Sequence, residues 1–83
     1  MSGTADVEAR VRALLAQVLD VPASDVGPGF SEASTATWTS LNHLMLVSQL
    51  ESEFGLFLSN EQIRQLTSFD RIVETVARHR SGG

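Results

Sequence analysis

Ser40 and His43 lie three residues apart, and their types are those of a nucleophile and its general base. A histidine within hydrogen-bond reach of a serine can activate the serine hydroxyl. Neighbours on one helix seldom reach that geometry, and the sequence places no third group to orient the imidazole. We therefore expect His43 to be partly buried and hydrogen-bonded, and we expect no catalysis by this pair.

Ser40 has chemical interest of its own, because it lies where a helix is predicted to begin, in the segment TWTSLNHL. A hydroxyl there can cap the helix by accepting from the backbone amides of the first turn. It can also be a point of chemistry. Both interpretations remain open from the local sequence alone.

The composition excludes several other kinds of site. Cysteine is absent, so thiolate catalysis, disulfides and cysteine-based zinc sites are excluded. Two histidines make a poor transition-metal site, and we predict no metal. The net charge of -4, with no lysine, argues against nucleic acid, because phosphate contacts need a basic face.

The 83 residues form one small domain, with an ordered part expected at about 5–79. No apolar run approaches the roughly 18 residues of a membrane span. The first ten residues lack the apolar core of a signal peptide. We expect a cytoplasmic monomer that does not bind membranes.

Two elements precede the Ser40 segment. Apolar residues from Val7 to Leu19 recur at steps of three and four, which predicts a first helix over about 5–19 that Pro22 stops. Residues 21–39 show no such period and predict a long loop. Three hydrophobic residues are able to anchor this loop on the core: Val26, Phe30 and Trp38.

The second helix is predicted from Ser40 to Phe54, with Gly55 as its C-cap. At roughly 100° per residue, one arc of this helix is apolar and is assigned to the core: Leu44, Leu46, Val47, Leu50 and Phe54. Leu41 and Met45 are neighbours that project toward the polar side, where an exposed pair indicates a docking patch. The alternative is a rotated helix, in which both side chains are half-buried.

Two further helices complete an all-α fold of four helices. Ser59 with Gln62 forms a capping box that predicts a short third helix over about 60–66. Thr67 with Asp70 has the same spacing and predicts a last helix over about 68–78. The final RHRSGG is expected to fray.

The segment WTSLNHLMLVSQLESEFG, with the LTS before the last helix, resembles acyl carrier proteins, most closely discrete carriers that read W-D-S-L-x-H-L. The resemblance covers about 7–76. It implies a bundle of three main helices and one short helix with a long first loop, and no catalysis by the chain itself. It also implies that Ser40 carries 4′-phosphopantetheine, derived from coenzyme A, whose thiol holds acyl, aminoacyl or polyketide intermediates as thioesters.

The implied partners are a phosphopantetheinyl transferase and enzymes of the acyltransferase, ligase or ketosynthase type. The family uses the second helix and the preceding loop for recognition, which implies five contact residues here: Trp38, Thr39, Leu41, Asn42 and Met45. Six core residues are candidates for a cleft that shelters the acyl chain: Leu46, Val47, Leu50, Phe54, Ile63 and Val73.

Thr39 departs from the family, which has an aspartate immediately before the modified serine. The second helix is also short of the usual acids, having only Glu51 and Glu53. These departures keep a second hypothesis open. In it, the domain is an unmodified carrier-like module that serves only protein interactions.

Overall fold

Helix α1 extends from Gly3 to Leu19, two residues earlier than predicted, in a computed structural model that describes residues 3–82 and the side chains of residues 5–80. It ends where Asp20 adopts a left-handed conformation with φ of 57°. The Val21 amide then donates to the Ala16 carbonyl at 3.1 Å, which closes the last turn. Pro22 follows this closure and cannot continue the helix.

Helix α2 covers Ser40–Phe54, and both predicted ends are confirmed. Gly55 is left-handed, with φ of 63°, and its amide donates to the Glu51 carbonyl. Side chains other than glycine rarely adopt this conformation, so the glycine is what allows the sharp stop.

Helix α3 covers Asn60–Gln65, and α4 covers Phe69–Gly82. The predicted capping box of α3 is confirmed, because the Gln62 amide donates to Ser59 Oγ at 3.1 Å and the Ser59 amide donates to Gln62 Oε1 at 3.0 Å. The predicted box of α4 is wrong. Ser68 caps α4 by accepting from the Arg71 amide at 3.1 Å.

The end of α4 also differs from the sequence-based expectation. The helix continues through 79–82, beyond the predicted end at about 78, and Gly83 lies outside the described residues. Fraying of RHRSGG stays a prediction. Arg80 explains part of the extension, because its guanidinium lies 6.0 Å from the centre of the Phe54 ring and 3.6 Å from Asp6. A helix end held by such contacts resists fraying.

The four helices enclose one apolar core, so the predicted all-α class is confirmed over residues 3–82. The members that are almost fully buried come from α1, α2, α4 and the residue after α3: Val7, Val11, Leu15, Leu19, Leu46, Leu50, Leu66, Phe69, Ile72 and Val76. Leu44 was assigned to this core from the helical wheel, and that assignment is wrong because its side chain is 61% exposed.

The loop between α1 and α2 is ordered by short 3-10 turns at Ala23–Asp25 and Glu32–Ser34. Its three predicted anchors, Val26, Phe30 and Trp38, are all buried, which confirms their assignment. Polar contacts hold the backbone as well. Arg12 Nε of α1 donates to the Val26 carbonyl at 2.8 Å.

The same loop is joined to the start of α4. The Phe69 amide donates to the Phe30 carbonyl at 2.8 Å, and the Glu32 amide donates to the Thr67 carbonyl at 3.0 Å. The Gly29 amide donates to Asp70 Oδ2 at 3.1 Å, which is the role that Asp70 takes in place of the predicted box. The loop therefore follows the core up to the first residue of α2.

None of the described helices is both long enough and apolar enough to cross a membrane.

Leu50→Ala should lower the free energy of unfolding by about 2–5 kcal/mol, the usual cost of truncating a buried leucine. Leu50 is 1% exposed. Leu44→Ala is the matched control on the same helix and should change stability by less than about 0.5 kcal/mol. Urea denaturation followed by far-ultraviolet circular dichroism measures both. Equal losses in the two variants would show that α2 has been rotated.

Candidate functional site

Ser40 is the first residue of α2, and its side chain is exposed. Thr39, not Ser40, caps the helix, because Thr39 Oγ1 accepts from the Asn42 amide at 3.2 Å. Thr39 has the extended backbone of an N-cap residue, with φ of −88° and ψ of 172°. The cap is thus supplied by the preceding residue, and the Ser40 hydroxyl is left available at the helix N-terminus.

Asn42 holds the chain in the approach to Ser40. Its Nδ2 donates to the Thr37 carbonyl at 2.7 Å, so the side chain fastens the segment before the helix. The side chain is half-buried. The amide of the predicted contact residue Asn42 therefore already makes a strong internal hydrogen bond.

Trp38 lies inside the protein, with a side chain that is 9% exposed. Its ring stacks with Phe30 at a centroid distance of 6.1 Å, and its Nε1 donates to His43 Nδ1 at 3.0 Å. Most of the large indole ring is thus buried in the core. Contact of Trp38 with partners stays a prediction.

Leu41 and Met45 are exposed by 68% and 47%, which confirms the predicted outward direction of both side chains. Leu44 joins them, being 61% exposed. The three form an apolar patch on the first two turns of α2, the Leu41, Leu44 and Met45 patch. Sequence reasoning missed Leu44, although it lies three residues from Leu41 and four from Ser40, a spacing that places it beside both.

A shallow groove of about 480 Å³ adjoins Ser40, between the end of the loop, the start of α2 and the α3 region. Its lining combines apolar, hydroxyl and charged side chains: Glu32, Trp38, Thr39, Ser40, His43, Leu44, Arg64 and Thr67. Arg64 also pairs with Glu61 at 3.0 Å.

None of the six predicted cleft residues lines this groove. Four of them are buried in the core: Leu46, Val47, Leu50 and Val73. Phe54 lies at the other end of α2, where the Arg10 guanidinium is 5.0 Å from its ring centre, and Ile63 is half-buried against the core. Their place in or against the core agrees with their assignment as core residues, and the cleft itself stays a prediction.

The surface around Ser40 carries little charge on α2. The fourteen residues from 37 to 50 contain no aspartate, glutamate, lysine or arginine. The two acids further along are used internally, since Glu51 Oε2 accepts from the Leu58 amide at 3.0 Å and Glu53 Oε2 pairs with Arg10 at 2.7 Å. The charged side chains that line the groove are Glu32 and Arg64, which lie outside α2.

His43 is partly buried and hydrogen-bonded, as predicted. Its Nδ1 accepts from Trp38, and its Nε2 lies 2.8 Å from the Ile63 carbonyl, which can only accept. Both ring nitrogens are thus occupied. In this arrangement the imidazole has no lone pair for the Ser40 hydroxyl.

The chemistry open to this site is that of an exposed hydroxyl at a helix N-terminus. The first amides of a helix and its dipole favour a negative group beside such a hydroxyl. Among the described residues, no three histidine, cysteine, aspartate or glutamate side chains cluster as metal ligands would. No protein-family model matches the sequence.

Thr39→Ala should destabilise the domain by about 1 kcal/mol, because it removes the side-chain acceptor at the N-cap. Thr39→Ser and Thr39→Asp keep an acceptor and should both remain within about 1 kcal/mol of the parent. Thermal unfolding by calorimetry compares the three variants. A stable Thr39→Ala protein would mean that another residue, Ser40 included, can take over the cap.

Proposed function

We propose that this domain is an acyl carrier protein, with an acyl-carrier-protein-like bundle and a 4′-phosphopantetheine arm attached to the Ser40 hydroxyl. The observation that carries the proposal is the exposed Ser40 at the first position of α2, relieved of capping by Thr39. The motif resemblance of residues 38–55 supports the same position. In this proposal the chain itself is not an enzyme and works as a cytoplasmic monomer.

The residues around Ser40 fit a phosphodiester. Amides of the first helical turn have no partner within the helix, and the dipole of α2 lowers the free energy of a phosphate placed there. Arg64 brings a guanidinium to the groove that begins at Ser40. No carboxylate lies within residues 37–50, so close repulsion from α2 itself is avoided.

The thiol of the bound arm supplies the chemistry, because it holds the cargo as a thioester. The chain contains no cysteine that could compete for that cargo. The protein itself holds the Ser40 hydroxyl in a fixed place. Thr39 and Asn42 serve this end by fastening the approach to α2.

Partner enzymes must cover the surface next to Ser40 in order to reach its hydroxyl. That surface is the Leu41, Leu44 and Met45 patch, whose exposed apolar side chains favour association when they leave water. The partners in this proposal are a phosphopantetheinyl transferase and an acyltransferase, ligase or ketosynthase-type enzyme. The cleft for cargo is left out of the proposal, since the six residues considered for it lie elsewhere.

The second candidate function is an unmodified interaction module. One feature favours it: Thr39 is uncharged, whereas an aspartate beside Ser40 would attract a basic transferase. The apolar patch serves this function equally well, because it needs no prosthetic group. Attachment of phosphopantetheine to Ser40 by a transferase distinguishes the two candidate functions.

Incubation of the protein with coenzyme A, magnesium and a broad-specificity phosphopantetheinyl transferase should add a single phosphopantetheinyl mass. Ser40→Ala should abolish the addition, since the hydroxyl is the only atom that can accept the group there. Ser48→Ala is the matched control, an exposed serine on the same helix, and should be modified as the parent is. Intact-protein mass spectrometry gives the result. Addition to Ser40→Ala, or none to the parent with several transferases, would refute the carrier proposal.

Met45→Glu should slow loading by a partner enzyme about fivefold or more, because a charge must lose its water in an apolar contact. Stability should stay within about 0.5 kcal/mol of the parent, since the side chain is exposed. Gln49→Glu is the control, which adds the same charge on an exposed neighbouring position of α2. The ratio kcat/KM of the loading enzyme compares the variants. Equal slowing by both changes would point to net charge instead of the patch.

A further inference from the structure

His43 has a feature that the carrier proposal does not use, which is that only one of its protonation states satisfies its partners. The Trp38 indole can only donate, so His43 Nδ1 carries no proton. The Ile63 carbonyl can only accept, so His43 Nε2 carries the proton. The two neighbours therefore select the neutral imidazole in its Nε2–H form.

These two hydrogen bonds join three separate parts of the chain. Trp38 belongs to the end of the long loop, His43 to α2 and Ile63 to α3. Helix α3 has only six residues and no fully buried side chain within its bounds. The buried Leu58 and Leu66 hold it on either side, and the hydrogen bond to His43 adds a polar contact within its own bounds.

The joined parts are the walls of the groove beside Ser40. Trp38 and His43 line it from the loop and α2, and Arg64, the residue after Ile63, lines it from α3. The imidazole thus spans the space between one wall and the other. Losing it would remove the hydrogen bond that joins α3 to the helix that presents Ser40.

We infer that His43 is a positioning residue whose neutral Nε2–H form holds the groove beside Ser40 in shape, and whose protonation releases it. A proton added to Nδ1 would point at the indole N–H over a distance of 3.0 Å. Two N–H donors that point at each other cannot form a hydrogen bond, so the indole must turn away or the imidazole ring must move. Trp38 then loses its hydrogen-bond partner inside the core.

The groove that His43 lines contains one acidic and one basic side chain. Glu32 lines the groove from the loop and Arg64 lines it from α3, so the two nearby side chains have opposite signs. The acids of α2 are engaged elsewhere, Glu51 with the Leu58 amide and Glu53 with Arg10. None of the ion pairs among residues 5–80 involves His43.

Nuclear magnetic resonance of the full, 15N-labelled chain tests the state of His43 directly. Long-range imidazole spectra at about pH 8 should show the Nε2–H form. On lowering to about pH 5, protonation of His43 should coincide with an upfield shift of the Trp38 indole proton. Exchange of that indole proton should rise by about fivefold, the scale of one lost hydrogen bond.

His43→Gln is the matched variant, because its amide can accept from the indole and donate to the Ile63 carbonyl without titrating. It should keep the indole signal constant over the same pH range. His43→Leu removes both bonds and should give the released signal at every pH. His79→Gln changes the other histidine of the chain, which lies 3.3 Å from Gln62 Nε2, and should respond as the parent does.

Three results would overturn the inference. They are the Nδ1–H form at high pH, an indole signal that does not change when His43 is protonated, and a pH response that persists in His43→Gln. A His43 that stays neutral in the folded protein throughout would overturn the release. None of these readings needs a modified Ser40, so they are independent of the carrier proposal.

The consequence at Ser40 rests on the proposed function and has its own measurement. The rate of phosphopantetheine transfer at about pH 8 should be about threefold lower for His43→Leu, which lacks both hydrogen bonds, than for His43→Gln, which keeps them. Equal rates would refute an effect of His43 on Ser40, whereas a complete lack of transfer would refute the carrier proposal alone.

Discussion

The position of Ser40 and of the groove beside it depends on the order of the long connection between α1 and α2. Burial of three hydrophobic anchors orders this connection. Fixing each backbone residue costs about 1–2 kcal/mol of conformational entropy, and a small domain has little core to offset that cost. Val26, Phe30 and Trp38 enter the core at intervals along the connection, so that no long stretch is left without an anchor. The Arg12 side chain of α1 and the backbone at the start of α4 then make hydrogen bonds to its polar groups.

Charged side chains are distributed unevenly between the two ends of the helical bundle. Carboxylates and guanidinium groups meet at the end of the bundle remote from Ser40, where Arg10 and Arg80 lie over Phe54 and Asp6 lies near both. Such exposed ion pairs contribute little each, but together they occupy the acids of that end. At the opposite end, residues 37–50 present only hydroxyl, amide, imidazole and apolar side chains. A face of this kind can recognise a partner by shape and apolar contact with little dependence on salt.

Much of the fold could be predicted from local sequence, because the signals that start and stop helices act over four or five residues. The Ser59 and Gln62 box and the Gly55 stop are examples, and both bounds of α2 were predicted correctly. Ser68 took the cap expected of Thr67 because the tertiary bonds of Glu32 and Phe69 fix that turn. The direction of Leu44 was wrong because a helical wheel cannot say how far the core extends around it. The groove beside Ser40 depends on where the loop and α3 come to rest, which no local pattern contains.

The contact between Asp6 and Arg80, 3.6 Å apart, brings the first turns of α1 beside the last turns of α4. Glu53 and Phe54 lie at the same end, whereas Ser40 is fourteen residues back along α2. At a rise of about 1.5 Å per residue, that is about 20 Å of helix. A tag, a fluorophore or a surface anchor joined beyond either α1 or α4 therefore emerges on the side facing away from Ser40. The N-terminal end of α1 and the C-terminal end of α4 are in this way both suited to immobilisation, with Ser40 turned toward solution.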